Sequence, residues 1–349
     1  MLDRIVGTRR ATDGNGHVAA EAGLVTDATQ LASARPTPWQ TVQLARNIAR
    51  PHALDIINRV FERFHELHGD RSFRDDPAIV GGPALLEGRP VMVIGHQKGK
   101  DTESNIFRNF GSPYPEGFRK AQRLMRLADK LGMPLITFLD TAGAFPGPAA
   151  EERGQAEAIA SSIKLMTGLQ VPIVVVIIGE GGSGGALAMG VGDEVLALEN
   201  ATYSVISPEG CAAILWRAPE AAPTAAAAMR MTAADQLELG VIDGVIDEPG
   251  EGAHADHART AAAVKAAILG ALGRITRLET EAMLTTRYAR LRGIGLVRET
   301  EAASTPPPQE PSLRRRIGRL LRLPGVPRRP RWSEIWPSGE DADNNEEGA

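Results

Sequence analysis

The segment Val171-Pro-Ile-Val-Val-Val-Ile-Ile-Gly-Glu-Gly-Gly-Ser-Gly-Gly-Ala-Leu-Ala-Met189 constrains this chain more than any other. Its apolar run, Val171–Ile178 interrupted by Pro172, reads as a buried strand. It runs into five glycines and leaves them as a short helical stretch. Glycine allows a sharp backbone turn and lets a ligand approach main-chain amides with no β-carbon in the way. The first turn of a helix carries free N–H groups and the positive end of its dipole. An anion, or an oxygen gaining negative charge, is stabilised there.

Further apolar runs, Val91–Ile94, Leu135–Leu139, Val195–Leu198 and Tyr203–Ile206, are separated by helical patterns. Glu116–Leu131 places Phe118, Ala121, Leu124, Met125, Ala128 and Leu131 on one face. Ala149–Met166 is entered through Pro146 and Pro148, with Glu151 and Glu152 in its first turn. Strands separated by helices imply parallel pairing with right-handed crossovers. Residues 70–295 therefore read as an α/β domain, closed by an Ala-rich helix over 258–275. Ahead of it, residues 36–69 form a helical segment whose stripe Leu54, Ile57, Phe61, Phe64, Leu67 ends at Gly69. Residues 1–35, polar and without a period, read as a flexible arm. Residues 296–349, Pro-rich, then carrying eight arginines from Arg314 to Arg331, then acidic, read as a disordered tail.

Net charge of −4 excludes global basicity of the nucleic-acid-binding kind. The single cysteine, Cys211, excludes an internal disulfide and a Cys-rich zinc site within one chain. No charged-then-apolar leader pattern opens the sequence, and the longest apolar run is too short for a bilayer, so the expected compartment is the cytoplasm.

Several chemistries compete for the glycine turn. Gly179-x-Gly181-x-x-Gly184 with Glu199 twenty residues on fits a dinucleotide fingerprint, but Gly190 and Gly192 break the following helix too soon for a crossover. Gly181-x-Ser183-x-Gly185 fits a nucleophile elbow, but the downstream histidines, His254 and His257, lie in a Gly/Ala/Asp-rich stretch. The third reading is an oxyanion hole built from the amides of Gly184, Gly185 and Ala186. A second strand-to-turn junction, Leu135-Ile-Thr-Phe-Leu-Asp-Thr-Ala-Gly-Ala-Phe-Pro-Gly-Pro148, brings Gly143 and Ala144 to the same sheet edge. Two amide-bearing turns with no obvious nucleophile suit enolate chemistry on a thioester. On that reading Gly185→Val slows the reaction by about 10² and leaves assembly intact.

Gly179–Ala188 followed by Tyr203-Ser-Val-Ile-Ser-Pro-Glu-Gly-Cys-Ala-Ala-Ile-Leu-Trp216 closely resembles the α subunits of bacterial acetyl-CoA carboxylase carboxyltransferases. So do His65–Arg71, Asp76–Gly82, Pro90–Gly99, Asn109–Gly111 with Pro115–Gly117, and Glu151–Gln155. The likeness runs from about Arg50 to Gly293. It implies a crotonase-like (ClpP/crotonase) α/β fold preceded by a helical segment. It also implies transfer of a carboxyl group from N1-carboxybiotin to acetyl-CoA, giving malonyl-CoA for fatty-acid synthesis. By motif match Gly184, Gly185 and Ala186, with Gly182 beside them, hold the biotin ureido oxygen. The biotin anion left after loss of CO2 then deprotonates the acetyl methyl, so no side-chain base is needed. The implied partners are a homologous zinc-ribbon β subunit in an α2β2 core, a biotin carboxyl carrier protein and biotin carboxylase. No metal is expected on this chain.

The sequence departs from the pattern at Ala142, where the family usually has proline, and at Phe145, where it has tyrosine. His96, Lys98 and Lys100 follow a strand and read either as contacts for CoA phosphates or carboxybiotin, or as a solvated basic loop. His65 and His68 read as a partly exposed helix end rather than a metal pair. Glu209 is read as placing a helix N-terminus, and Arg153 as pairing with Glu152 or Glu157. The same fold admits a stand-alone acyl-CoA hydratase or isomerase, which needs a carboxylate at the site; Glu180 is the acid within the glycine-rich turn.

Overall fold

A computed structural model describes residues 24–26 and 36–295. Most of the expected arm and all of the expected tail lie outside them. In chain order the elements are β1 (Leu24–Val25), α1 (Pro38–Ala45), α2 (Ala53–Val60), β2 (Ile79–Leu86), β3 (Arg89–His96), α3 (Thr102–Phe107), α4 (Pro115–Leu131) and β4 (Leu135–Thr141). They continue as α5 (Pro148–Glu151), α6 (Gln155–Gly168), β5 (Ile173–Gly182), α7 (Ser183–Leu187), β6 (Glu194–Leu198), β7 (Thr202–Ser204) and α8 (Pro208–Trp216). The last are α9 (Ala222–Met229), α10 (Ala233–Glu238), β8 (Gly244–Ile246), α11 (His257–Ile275) and α12 (Thr280–Gly293).

The sheet runs β1-β8-β6-β5-β4-β3-β2, with β7 joined to the far end of β5. From β3 to β8 the neighbours are parallel, as alternation of strands and helices requires. β5 is the centre, and Ile173–Ile178 are all buried. α2 and α11 cover one face, while α4 and α6 pack together over the other. Gly95 meets Ala53 of α2, whereas Gly81 meets Leu124 of α4, so the missing β-carbons let both layers close on the β2–β3 ribbon.

Several expectations change here. β2 pairs antiparallel with β3 through the two-residue turn Glu87-Gly88, both at positive φ, as tight hairpins require. The helical stripe ends at Val60, not Gly69: Phe61 turns extended (φ −113, ψ 150), and residues 62–67 run beside β2. Glu62 and Leu85 exchange hydrogen bonds of 2.8 and 2.7 Å, and Leu67 N–H donates to Gly81 O at 2.8 Å. Covering the outer edge of β2 outweighs the helical spacing of Phe61, Phe64 and Leu67. The helix expected over 149–166 is broken at Gly154 (φ 81) into α5 and α6. Leu24 and Val25, inside the expected arm, add an antiparallel strand to β8.

Candidate active site

β4 and β5 stay in register up to Leu139↔Ile177 and resume at Thr141↔Gly181, so three residues of β5 stand opposite Asp140 alone. Such a bulge re-aims side chains and ends regular pairing, here at the carboxyl edge of the sheet. Gly179 lies in the bulge, pressed on the Asp140 carboxylate, where a β-carbon has no room. Gly179 and Gly181 are thus strand residues, and the glycine turn proper is shorter than its sequence suggests.

Past the bulge the two junctions interlock. A β-carbon on Gly182 would strike the Ala142 carbonyl, and one on Gly185 would stand 2.5 Å from Ala144 N and 2.6 Å from the Gly143 carbonyl carbon. Gly143 itself adopts φ 152 and lies beside Ser183. Gly184 differs, since a β-carbon there would meet only Ile159 at ordinary contact distance, 3.5 Å. α7 begins here with no side-chain cap, so no side chain of the cap residue takes up its first N–H groups. Beside them opens a cleft of about 270 Å³ lined by Ser183, Gly184, Leu187, Tyr203, Ser204 and Val205.

Beneath the turn is a network of charges that sequence reading did not assemble. Lys98 Nζ lies 2.7 Å from Asp140 Oδ1 and 3.1 Å from Glu180 Oε2. Asp140 also accepts Glu180 N–H at 3.1 Å and faces His52 Nδ1 at 3.3 Å. Burial works against the Asp140 charge, yet Lys98 and the His52 hydrogen bond hold it well below the ordinary carboxylate range. Burial likewise opposes the Lys98 charge, and Asp140 and Glu180 outweigh it, so its pKa is raised. Arg46 extends the chain outward, 2.7 Å from Glu180 and 2.6 Å from Glu209. A second cluster surrounds Glu116, which is fully buried and receives Arg74 at 2.7 Å and Arg153 at 3.0 Å. These guanidinium groups stack on Tyr114 at 5.1 and 5.3 Å, and Tyr114 in turn packs on Phe145 at 4.4 Å between centroids.

Gly182, Gly184, Gly185, Ala186, Gly143 and Ala144 come together. His96 and Lys98 do not join them as exposed ligands, and neither forms a solvated loop. His96 closes β3 with its ring wholly buried, and Lys98 is only 15% exposed and spoken for by two acids. Lys100 pairs with Asp55. The pattern GHQKG sits where β3 leaves the sheet, so one residue faces the core and the next but one the edge. Arg153 pairs with Glu116 rather than Glu152 or Glu157. Glu209 follows the cap residue Ser207 but is held by Arg46. His68 belongs to an extended segment and pairs with Asp75 at 3.0 Å. Among the described residues no group of three or more His, Cys, Asp or Glu could hold a metal, and no helix is long and apolar enough to cross a membrane.

The competing chemistries lose their geometry. α7 spans five residues, too short for a dinucleotide crossover, and Glu199 accepts the backbone N–H of Glu248. Ser183 does adopt the strained φ of 53 typical of an elbow, but His257 bonds to Ala49 O and His254 lies against Gly252. Glu180, the carboxylate a hydratase would need, is bound by Arg46 and Lys98.

Residues 11–295 match the family described as acetyl co-enzyme A carboxylase carboxyltransferase-like, a span that begins well before the Arg50 limit read from the motifs. A Thermus thermophilus protein named acetyl-coenzyme A carboxylase carboxyl transferase subunit alpha is 58% identical over 263 residues, 75% of this chain and 83% of that protein. A Vibrio campbellii protein of the same name is 58% identical over 257 residues, 74% of this chain and 81% of that one. Among solved structures, transcarboxylase 12S aligns with a TM-score of 0.52 at 20% identity over 74% of this chain and 46% of that chain. A Pseudomonas malonate decarboxylase hetero-tetramer aligns with a TM-score of 0.52 at 19% identity, over 62% and 90%. The interlocked turns and the sheet that carries them have the crotonase-like fold, and the chain belongs to the α-subunit family of acetyl-CoA carboxylase carboxyltransferases.

Proposed function

We propose that this chain is the α half of a cytoplasmic carboxyltransferase that moves a carboxyl group from N1-carboxybiotin, borne on a separate carrier protein, to acetyl-CoA, yielding malonyl-CoA for fatty-acid synthesis. The carrying observation is the uncapped start of α7, locked against the Gly143–Ala144 turn, with no carboxylate or imidazole among the described residues that line the cleft beside it. Carboxybiotin supplies the carboxyl group, and its ureido oxygen becomes negative as that group departs. The amides of Gly184, Gly185 and Ala186 donate to that oxygen, with Gly182 fixing the approach. Donors held rigidly in place need no reorganisation as charge develops. Gly143 and Ala144 complete the wall. The fit is chemical as well as steric, because Glu180 is neutralised by Arg46 and Lys98 and does not repel an anion at the turn.

On this reading the acyl-CoA, its oxyanion hole and a zinc ribbon belong to a β subunit in an α2β2 core, supplied by biotin carboxylase through the carrier. The test is to purify the chain with and without a zinc-ribbon β subunit and assay carboxyl transfer between biotin and acetyl-CoA or propionyl-CoA. Transfer by the pair and none by either alone is expected. Turnover of crotonyl-CoA by the lone chain, or tight NAD binding, overturns the reading.

A further inference from the structure

His96 has a place in the fold that neither packing nor solvent contact accounts for. Side chains alternate along β3, and Gly95 faces α2, so His96 faces the layer of α4 and α7. Its ring is wholly buried, and neither ring nitrogen has a hydrogen bond in place. A polar ring costs free energy in such a position unless it serves a partner.

The ring faces the backbone of Phe138 and of Gly185. Phe138 belongs to β4, which is paired on both sides. Gly185 is different. Met189 N–H, which would close an α-helical turn on its carbonyl, donates instead to Ala186 O at 3.1 Å, and Ala188 N–H donates to Gly184 O at 3.0 Å. The Gly185 carbonyl is therefore an acceptor passed over by its own helix, beside a buried donor without an acceptor.

We propose that His96 is a positioning residue, whose ring N–H closes on the Gly185 carbonyl and so fixes the pose of the first turn of α7. Fixing that carbonyl fixes the turn that carries the Gly184 and Gly185 N–H groups, the second and third of α7, which precede its first internal hydrogen bond. This inference rests on the oxyanion-hole reading above. The imidazole stays neutral in this role, since burial pushes its pKa down to about 4 despite the nearby Asp140 charge, and Lys98 adds to the lowering. It is an orienting donor, not a base.

The test compares His96→Gln, which keeps an N–H donor, with His96→Met, which has similar length and none. Both are assembled with the β subunit and assayed for transfer with free biotin and acetyl-CoA. The expected result is a kcat lowered about tenfold or more in His96→Met with KM for acetyl-CoA unchanged, and a kcat within about threefold of wild type in His96→Gln. The pH profile of kcat stays that of wild type in His96→Gln. An assembled His96→Met complex with wild-type kcat overturns the assignment. If His96→Met does not assemble, His96→Gln decides alone: a tenfold loss there, or a changed pH profile, overturns it. Absence of transfer in the wild-type complex would instead overturn the underlying reading.

Discussion

Gly185 lies so close to Gly143 that a β-carbon on the first would stand 2.6 Å from the carbonyl carbon of the second. The turns that end β4 and β5 are therefore one object, held by the absence of side chains. A direct consequence is that Gly185→Val cannot slow the reaction while leaving the fold alone, as the sequence suggested, because the new side chain drives the two turns apart. The informative pair is Gly184→Ala, which meets only Ile159 at 3.5 Å, and Gly185→Ala, which collides with Ala144 N. Gly184→Ala should keep its melting temperature to within a few degrees. Gly185→Ala should lose about 1–3 kcal/mol in denaturant unfolding, with transfer activity falling further than stability.

Lys98 is the common cation of Asp140 and Glu180. Removing it leaves two poorly solvated carboxylates side by side. Lys98→Met should therefore destabilise by up to about 3 kcal/mol, the low end of the cost of breaking a buried ion pair, because Arg46 stays on Glu180 and His52 on Asp140. Combining it with Asp140→Asn should recover part of that loss, which urea titration of the single and double variants would reveal. Equal loss in the single and double variants would mean the ion pair is not what holds the bulge.

His96 gives a pH signature with a definite sign. Its folded pKa is about 4 against 6.5 for the unfolded chain, so the unfolded state binds more protons between those values. Stability then rises with pH across that window and falls by on the order of 3 kcal/mol on acidification through it. Asp76 opposes this, because burial raises it to about 6 against its backbone hydrogen bonds, so its burial costs stability as pH rises from about 4 to 6. Subtracting the profile of His96→Gln cancels the Asp76 contribution. The difference should slope upward from pH 4 to 6.5; a flat difference would show that His96 titrates normally.

Arg287 of α12 is 1% exposed and bonds both oxygens of Asp193 at 2.8 and 2.7 Å, with the Met166, Leu169 and Val171 carbonyls at 3.1, 2.6 and 2.8 Å. Arg287→Met should cost about 3–5 kcal/mol, and Arg287→Lys nearly as much, because one ammonium cannot reproduce the planar fork. Thermal melts of both variants test this, with retained stability in the lysine variant as the contrary outcome.

The parallel centre was legible because β4 and β5 are apolar on both faces, and α4 because its stripe meets Pro115 at one end and Gly132 at the other. β2 and its hairpin to β3 escaped notice because Gly81, Gly82 and Pro83 dilute the pattern of β2, and the turn is Glu-Gly rather than Asn-Gly. Phe61, Phe64 and Leu67 misled because strand-edge cover and a helical stripe demand the same apolar residues. At the site, the glycines carried their own signal. The charges below them did not: Arg46, His52, Lys98, Asp140, Glu180 and Glu209 come from separate segments, and no local spacing marks residues that meet only when a sheet closes.

On the proposed reading the donors at the start of α7 are main-chain atoms, and this changes how the site fails. A scan that trims side chains to alanine passes over it in silence, since Ala186 is already alanine and the glycines have nothing to trim. Damage arrives by addition, at Gly182 or Gly185, or by rotation from below, at a buried neighbour that never meets the ligand. In such a chain the map of harmful substitutions is an imprint of free space around the backbone, and the residues that matter most are those with the least to offer.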